Sequence, residues 1–288
     1  MTHSDYILTL SCPDKTGIVY AVSGFLFEHG CNILDSAQFG DDNTGLFFMR
    51  VHFDVPSKMP HEQVESEFSG IGERFAMRWQ IHNARTPARV LIMVSKIGHC
   101  LNDLLFRAKS ATLPITIPAV ISNHPDFALM SASHAVPFYH LPLATGASAD
   151  EKARQEQQIL AIVERERIDL VVLARYMQIL SPEMCESLRG RAINIHHSFL
   201  PSFKGARPYA QAHERGVKLI GASAHYVTGD LDEGPIIEQD VARTDHAMDP
   251  DALTALGRDV ECVVLARAVK WHVEHRILLN GRKTVVFK

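Results

Sequence analysis

The sequence predicts an α/β protein of two domains: a small βαββαβ domain over residues 1–85, then a doubly wound, mostly parallel α/β domain over residues 86–288. Three observations lead there. Apolar residues in the first 85 positions recur with the periods of four short strands and two helices. A polar segment, NARTP at 83–87, follows as a linker. Beyond it the apolar residues gather in unbroken runs, which suit strands covered on both faces by helices.

In the small domain, residues 6–11 (YILTLS) form a short apolar strand, and 12–17 (CPDKTG) a turn whose Asp14 can cap a helix. Residues 18–28 carry Ile18, Val19, Val22, Phe25 and Leu26 at helical spacing, with His29-Gly30 as the stop. Two strands, 32–39 and 47–55, flank GDDNTG, a composition that permits the positive φ angles of a hairpin turn. Residues 60–75 make a weaker helix, and 77–82 (MRWQIH) alternate as a last strand. This order is the ferredoxin-like split. Such a sheet keeps an edge or a face that a second copy can cover, so a homo-oligomer held partly by residues 1–85 is expected.

In the large domain, 89–94 (RVLIMV), 117–122 (IPAVIS), 138–141 and 170–174 (LVVLA) are strands. A charged helix over 151–167 turns Ile159, Leu160, Ile162 and Val163 inward and leads into the strand at 168–174 as a right-handed crossover. In such a sheet, ligands sit beyond the carboxyl ends of the strands.

Composition narrows the function. Of 288 residues, 29 are Lys or Arg and 33 Asp or Glu, for a net charge of −4 with both signs mixed along the chain. A nucleic-acid partner would need a basic stripe. Hydrophobic residues make up 46% of the chain, ample for a core and too many for a disordered tail. No run approaches 18 apolar residues without a charge, so no membrane span is expected. The first 15 residues lack the basic and apolar regions of a secretory signal. Five scattered cysteines without a CxxC fit a reduced cytoplasm better than a disulfide framework or a cysteine zinc site.

Two polar clusters stand in apolar surroundings: AINIHHSFLPSFKG at 192–205 and SAHYVTGDLDEG at 223–234. A strand ending at His196 puts Asn194 and His196 on one face and His197 on the other, where it reads as structural. With Asp232, they supply a carboxamide donor for an oxyanion, an imidazole with a reference pKa of about 6.5, and a carboxylate to orient it or place a water. Asp230 and Glu233 read as solvated, with Asp230 a possible helper at the ligand. A metal alternative on His196, His197, His213 and His225 has no HExxH and no tetrahedral spacing behind it, so no metal is expected.

Residues 14–18 (DKTGI), the following helix and 29–33 (HGCNI) resemble the ACT regulatory domain. The resemblance implies sheet-mediated pairing and amino-acid binding, with Asp14, Thr16, Gly17, Ile18 and Asn32 as candidate effector residues. The resemblance points to small amino acids such as glycine or methionine as effectors, and free N–H groups at the helix start suit their carboxylate.

Residues 194–201 (NIHHSFLP), 227–228 and 231–237 (LDEGPII) resemble the formyltetrahydrofolate-using formyltransferase family, whose folate-loop signature reads here LARYMQILSP at 173–182. By that resemblance Asn194, His196 and Asp232 are catalytic. Met177, Gln178, Ile179, Leu180, Val227, Thr228 and Gly229 would line the folate pocket. The family's ribonucleotide-transferring branch carries a Gly- and Ser-rich phosphate loop after the first strand. Here that stretch, SKIGHCLNDLL at 95–105, has one glycine, a weak phosphate nest. This departure, with the ACT-like domain, resembles the hydrolytic branch. That branch cleaves 10-formyltetrahydrofolate to formate and tetrahydrofolate, supplying formate for purine synthesis and balancing the one-carbon pool. Folate is then the substrate, and no cofactor is implied. The alternatives are transfer to an amine such as glycinamide ribonucleotide, and a non-catalytic folate or amino-acid sensor.

Overall fold

The structure, a computed structural model, describes residues 4–55, 60–144, 146–200 and 208–288. It divides into two compact units. The first contains β1 (Ser4–Pro13), α1 (Ile18–Glu28), β2 (Asn32–Asp41), β3 (Leu46–Val55), α2 (His61–Arg74) and β4 (Arg78–Asn83). The sheet order is β2-β3-β1-β4, every pair antiparallel, as the ferredoxin-like reading requires. Leu8, Leu10, Val51 and Phe53 pack with Val22, Phe25 and Leu26 of α1 and Val64 and Phe68 of α2. Each such side chain, fully buried, contributes about 1.5–3 kcal/mol.

Turn chemistry sets the local register. Asp41 O accepts from Thr44 and Gly45, and Gly45 takes φ 65°, a conformation that costs glycine nothing. The cap expected of Asp14 does not form. Gly17 is the N-cap of α1 at φ 98° without a side-chain partner, while the Asp14 amide donates to Gly45 O at 2.9 Å. The Asp14 carboxylate lies beside Gly40 instead.

The division at 85/86 needs one amendment. Residues 274–280 and 284–288 group with the first unit, although the sequence reading placed them in the second domain. Strands β12 (Ile277–Asn280) and β13 (Lys283–Val286) form a hairpin. Leu278 and Phe287 pack with Phe48, Arg50 donates to Glu274 O at 3.1 and 3.2 Å, and Asn280 donates to Asp41 Oδ2 at 2.6 Å. Phe48 points away from α1 and α2, so the chain end supplies a second small core on the other face of the sheet.

The second unit runs β5 (Ala88–Val94), α3 (His99–Lys109), β6 (Ile115–Ser122), α4 (Ala128–Ser133), β7 (Phe138–His140), α5 (Ala149–Arg165), β8 (Leu170–Leu173), α6 (Pro182–Ser187), β9 (Ala192–His196), α7 (Pro208–Glu214), β10 (Leu219–Tyr226), β11 (Ile236–Arg243) and α8 (Pro250–Val273). The sheet order is β11-β10-β9-β8-β5-β6-β7, parallel from β9 to β7 and antiparallel at β10 and β11. The strands build outward from β5, first to β6 and β7, then to β8 and β9. A switch of direction of that kind opens a crevice at the carboxyl ends. Helix α5 starts on a capping box, Ser148 and Glu151 satisfying each other's amides. No described helix is long and apolar enough to cross a membrane.

Candidate active site

A cavity of about 260 Å³ lies beyond β8 and β9, far larger than the roughly 30 Å³ share of a water molecule. Its wall brings together all ten residues singled out for the catalytic and folate roles: Asn194, His196, Asp232, Met177–Leu180 and Val227–Gly229. Arg175, His197, His225, Asp230 and Leu231 also line it.

The loop after β8 is held at both ends. Ser95, buried at the end of β5, donates its amide to Arg175 O at 3.2 Å. Its hydroxyl accepts from the Met177 amide at 2.9 Å and donates to Asn123 Oδ1 at 2.8 Å. Glu156 accepts from the Ser181 amide at 2.8 Å, and the Ser181 hydroxyl caps α6. Between these pins Met177 and Ile179 stay exposed, an apolar edge available to a planar ring.

Strand alternation then aims the polar groups. Asn194 pairs across the ladder with His225, and His196 with Ser223. Ser223 accepts from Leu200 N and Gln239 Nε2 and donates to Ser198 O, fixing the end of β9. His225 Nδ1 meets Tyr226 O at 2.9 Å; a carbonyl only accepts, so Nδ1 carries a proton. Asn194 Nδ2 lies 3.2 Å from His225 Nε2, which orients the carboxamide, and Asp232 Oδ1 lies 3.7 Å from the same nitrogen.

His196 is buried, with Nδ1 3.3 Å from Asp232 Oδ2. Its Nε2 is enclosed and has no hydrogen-bond partner. The hydrogen bond with His196, reinforced by nearby His225, holds the Asp232 carboxyl well below the usual carboxylate range, so it is ionised. Asp232 sits at φ 56°, and Arg175 at φ 64°. Left-handed non-glycine residues cost on the order of 1–3 kcal/mol each and cluster at functional sites.

His197 does not stay apart from the cavity: its ring centroid lies 5.3 Å from that of His196, because the strand ends at His196 and alternation stops with it. Burial, and then Arg175, push His197 down to about 4, so it is neutral. Asp230 is exposed, as is Glu233, which pairs with Arg282 at 3.3 Å. The four-histidine metal alternative is not assembled, since His213 is exposed on α7 while the other three line the cavity. Among the described residues, the group close enough to share a metal ion is His99, Cys100 and Cys262, within 4.8 Å of one another. There the Cys262 contact and burial raise the Cys100 pKa, keeping it a thiol.

In the first unit, Asp14, Thr16 and Gly17 are exposed at the β1–α1 turn, and Asn32 donates its amide to Asp54 at 3.0 Å. Ile18 gives its side chain to the core at 2% exposure, so only its backbone is left for an effector.

Sequence reasoning weighed His225 only as a metal ligand and missed it as a positioning group, and it missed Arg175. His225 stands between Ala224 and Tyr226 on a buried strand. The polar neighbour two residues along, Ser223, was the available signal.

Comparison with known proteins agrees with this geometry. The Formyl transferase family matches residues 88–269 and the ACT domain family residues 6–58. A formyltetrahydrofolate deformylase from Corynebacterium sp. (strain P-1) is 48% identical over 98% of both chains. The chain belongs to the formyltetrahydrofolate deformylase family. The crystal structure of a deformylase from Burkholderia mallei ATCC 23344 superposes with a TM-score of 0.93 at 54% identity, covering 99% of this chain and 100% of that one. A glycinamide ribonucleotide transformylase from Symbiobacterium toebii shares 27% identity and a TM-score of 0.63 over 70% of this chain and 95% of its own. The deformylase likeness thus runs through both units, and the transformylase likeness through part of the chain.

Proposed function

We propose that the chain hydrolyses 10-formyltetrahydrofolate to formate and tetrahydrofolate, with Asn194, His196 and Asp232 as its catalytic residues. One observation carries this: His196 has one nitrogen on an ionised carboxylate and the other unpartnered in the cavity wall. Asp232 accepts from Nδ1–H, so the lone pair is on Nε2, the tautomer a general base needs. Water loses a proton to Nε2 as its oxygen bonds to the formyl carbon. The carbonyl electrons move to oxygen, where an Asn194 N–H donates. The C–N10 bond then breaks, N10 takes the proton back from the imidazolium, and formic acid leaves as formate. Asp232 stabilises the imidazolium through the intervening step. Met177–Leu180 and Val227–Gly229 hold the pterin between the exposed apolar edge and backbone polar groups. The folate is consumed as substrate, and each step draws on side chains and water alone.

The test is incubation of the purified chain with 10-formyltetrahydrofolate and no amine. Formate release supports hydrolysis; strict dependence on glycinamide ribonucleotide selects transfer, and binding without turnover selects a sensor. Formate released this way would feed purine synthesis while the one-carbon pool is balanced.

The first unit serves as an oligomerisation and sensing module in this reading. Strand β2 is an edge, with Ile33, Leu34 and Phe39 exposed, and α1 exposes Tyr20 and Phe27 at 84% and 82%. Such apolar exposure on an edge strand is normally covered, here by a second copy. Glycine or methionine would bind at Asp14–Ile18 and Asn32, its carboxylate on the free amides of α1. Five free cysteines fit a reducing cytoplasm as the place of action.

A further inference from the structure

We propose that Arg175 forms a carboxylate subsite of the cavity, taking small carboxylates of the size of formate on its guanidinium. The proposal rests on the hydrolytic reading only for the ligand's source; the site itself rests on geometry.

Arg175 lines the same cavity as His196 and is 9% exposed. Its Nε and Nη1 are enclosed without a hydrogen-bond partner among the described residues. Buried polar groups are nearly always matched, so two unmatched donors on one cation call for an explanation. The nearest counter-charge, Glu261 Oε2, stands 3.6 Å from Nε, an ion pair too long for a hydrogen bond.

Glu261 is not free to close that gap. It is 1% exposed, accepts from the Tyr209 hydroxyl at 2.7 Å through Oε1, and meets His99 Nε2 at 2.9 Å through Oε2. One carboxylate is therefore shared among three partners, and the guanidinium remains under-neutralised. Gly257 reserves the space for this arrangement, because a Cβ there would run into the Tyr209 ring. Of the other groups in the cavity wall, Asp232 is engaged by His196, and His197 near Arg175 is neutral.

The backbone points the same way. Arg175 is held at φ 64°, a conformation unfavourable for a long side chain, by Ser95 N on its own carbonyl and by Ala174 N on Met93 O. A strained, tied backbone that delivers a cation to a cavity suits binding of an anion. Nε–H and the Nη1 hydrogens leave different edges of the guanidinium and Nε already faces Glu261, so Nη1 is the donor left to make a charge-assisted hydrogen bond to a carboxylate oxygen. The formyl group is neutral and formate is charged, so the subsite separates product from substrate.

The experiment titrates sodium [13C]formate into the full-length protein without folate and follows saturable broadening of the formate signal at constant ionic strength. Wild type is expected to show saturable binding, R175M to weaken it at least tenfold, and R175K to fall between. Unchanged formate affinity in R175M, or in R175K should circular dichroism show R175M unfolded, overturns the subsite. So does a wild type with no saturable binding. A wild type that binds formate but releases none from 10-formyltetrahydrofolate overturns the hydrolytic reading and leaves the subsite standing. Turnover without formate binding overturns the subsite alone.

Discussion

His196 faces two ways: Nδ1 lies 3.3 Å from Asp232 Oδ2, and Nε2 is buried without a hydrogen-bond partner among the described residues. Asp232→Asn tests this pair cleanly, because asparagine tolerates the φ of 56° that an alanine would strain. Turnover is expected to fall by at least about a hundredfold, as for loss of an acid–base partner. Circular dichroism should be unchanged. Turnover near wild type would take Asp232 out of the mechanism.

Asn194→Ala removes the carboxamide that His225 orients and that the proposed mechanism uses as oxyanion donor. Loss of a comparable donor costs roughly 2.7–4 kcal/mol of transition-state stabilisation. Steady-state kinetics should therefore show kcat down by about two to three orders of magnitude with KM nearly constant. A variant that raises KM and spares kcat would place Asn194 in ground-state binding instead.

Ser95→Ala deletes a hydroxyl that accepts from Met177 N and donates to Asn123. Leaving those buried groups unmatched costs about 1–3 kcal/mol. The loop that carries Met177–Leu180 loosens, so KM for the folate should rise while the chemistry at His196 proceeds. Equal KM for the two proteins would show that the loop keeps its shape without Ser95.

His82 stacks on His275 with ring centroids 3.6 Å apart, and burial, with His61 adding to it, pushes it down to about 4. The unfolded imidazole titrates near 6.5, so between about 6.5 and 4 the unfolded chain binds the extra proton. Stability is thus full above that window and is lost as pH falls through it, by up to roughly 1.4 kcal/mol per pH unit. His82→Phe keeps the stacked plane and removes the titration. Denaturant melts at pH 5 and 7 should differ less for the variant, and an identical pH slope would sink the assignment.

Ile33, Leu34 and Phe39 on an unpaired edge predict a dimer or larger species at micromolar concentration. Leu34→Glu, on the exposed strand, should shift the mass measured by light scattering toward a single chain. A wild type that is already monomeric removes the assembly role from the first unit.

Much of the fold was legible because the local signals agree with the tertiary outcome. The runs at Val90–Val94 and Leu170–Leu173 are apolar throughout, and both are fully buried strands, as parallel packing demands. Of the candidate site, what was legible is that Asn194, His196 and Asp232 come together, where side-chain chemistry and spacing coincide on the wall of one cavity. Arg175 was absorbed into a loop motif read for the pterin, and its partner Glu261 stands 86 residues downstream on α8, a distance no local pattern spans. Asp14 looked like a cap because Asp is a good one, but the turn needed a left-handed residue at the helix start and Gly17 supplied it. The chain end carried a readable hairpin signal, Asn280-Gly281 between apolar residues, with Gly281 at φ 60°. That its Leu278 and Phe287 belong with Phe48 lies beyond any local reading.

That last cluster bears on how such a protein can be inherited and re-engineered. The first unit is not a contiguous cassette: it is drawn from residues before 88 and after 273, with most of the second unit spliced between. Recombination that exchanged the front segment alone would leave Leu278 and Phe287 facing a foreign sheet, and Asn280 without Asp41. Transplanting the module intact requires carrying its tail as well.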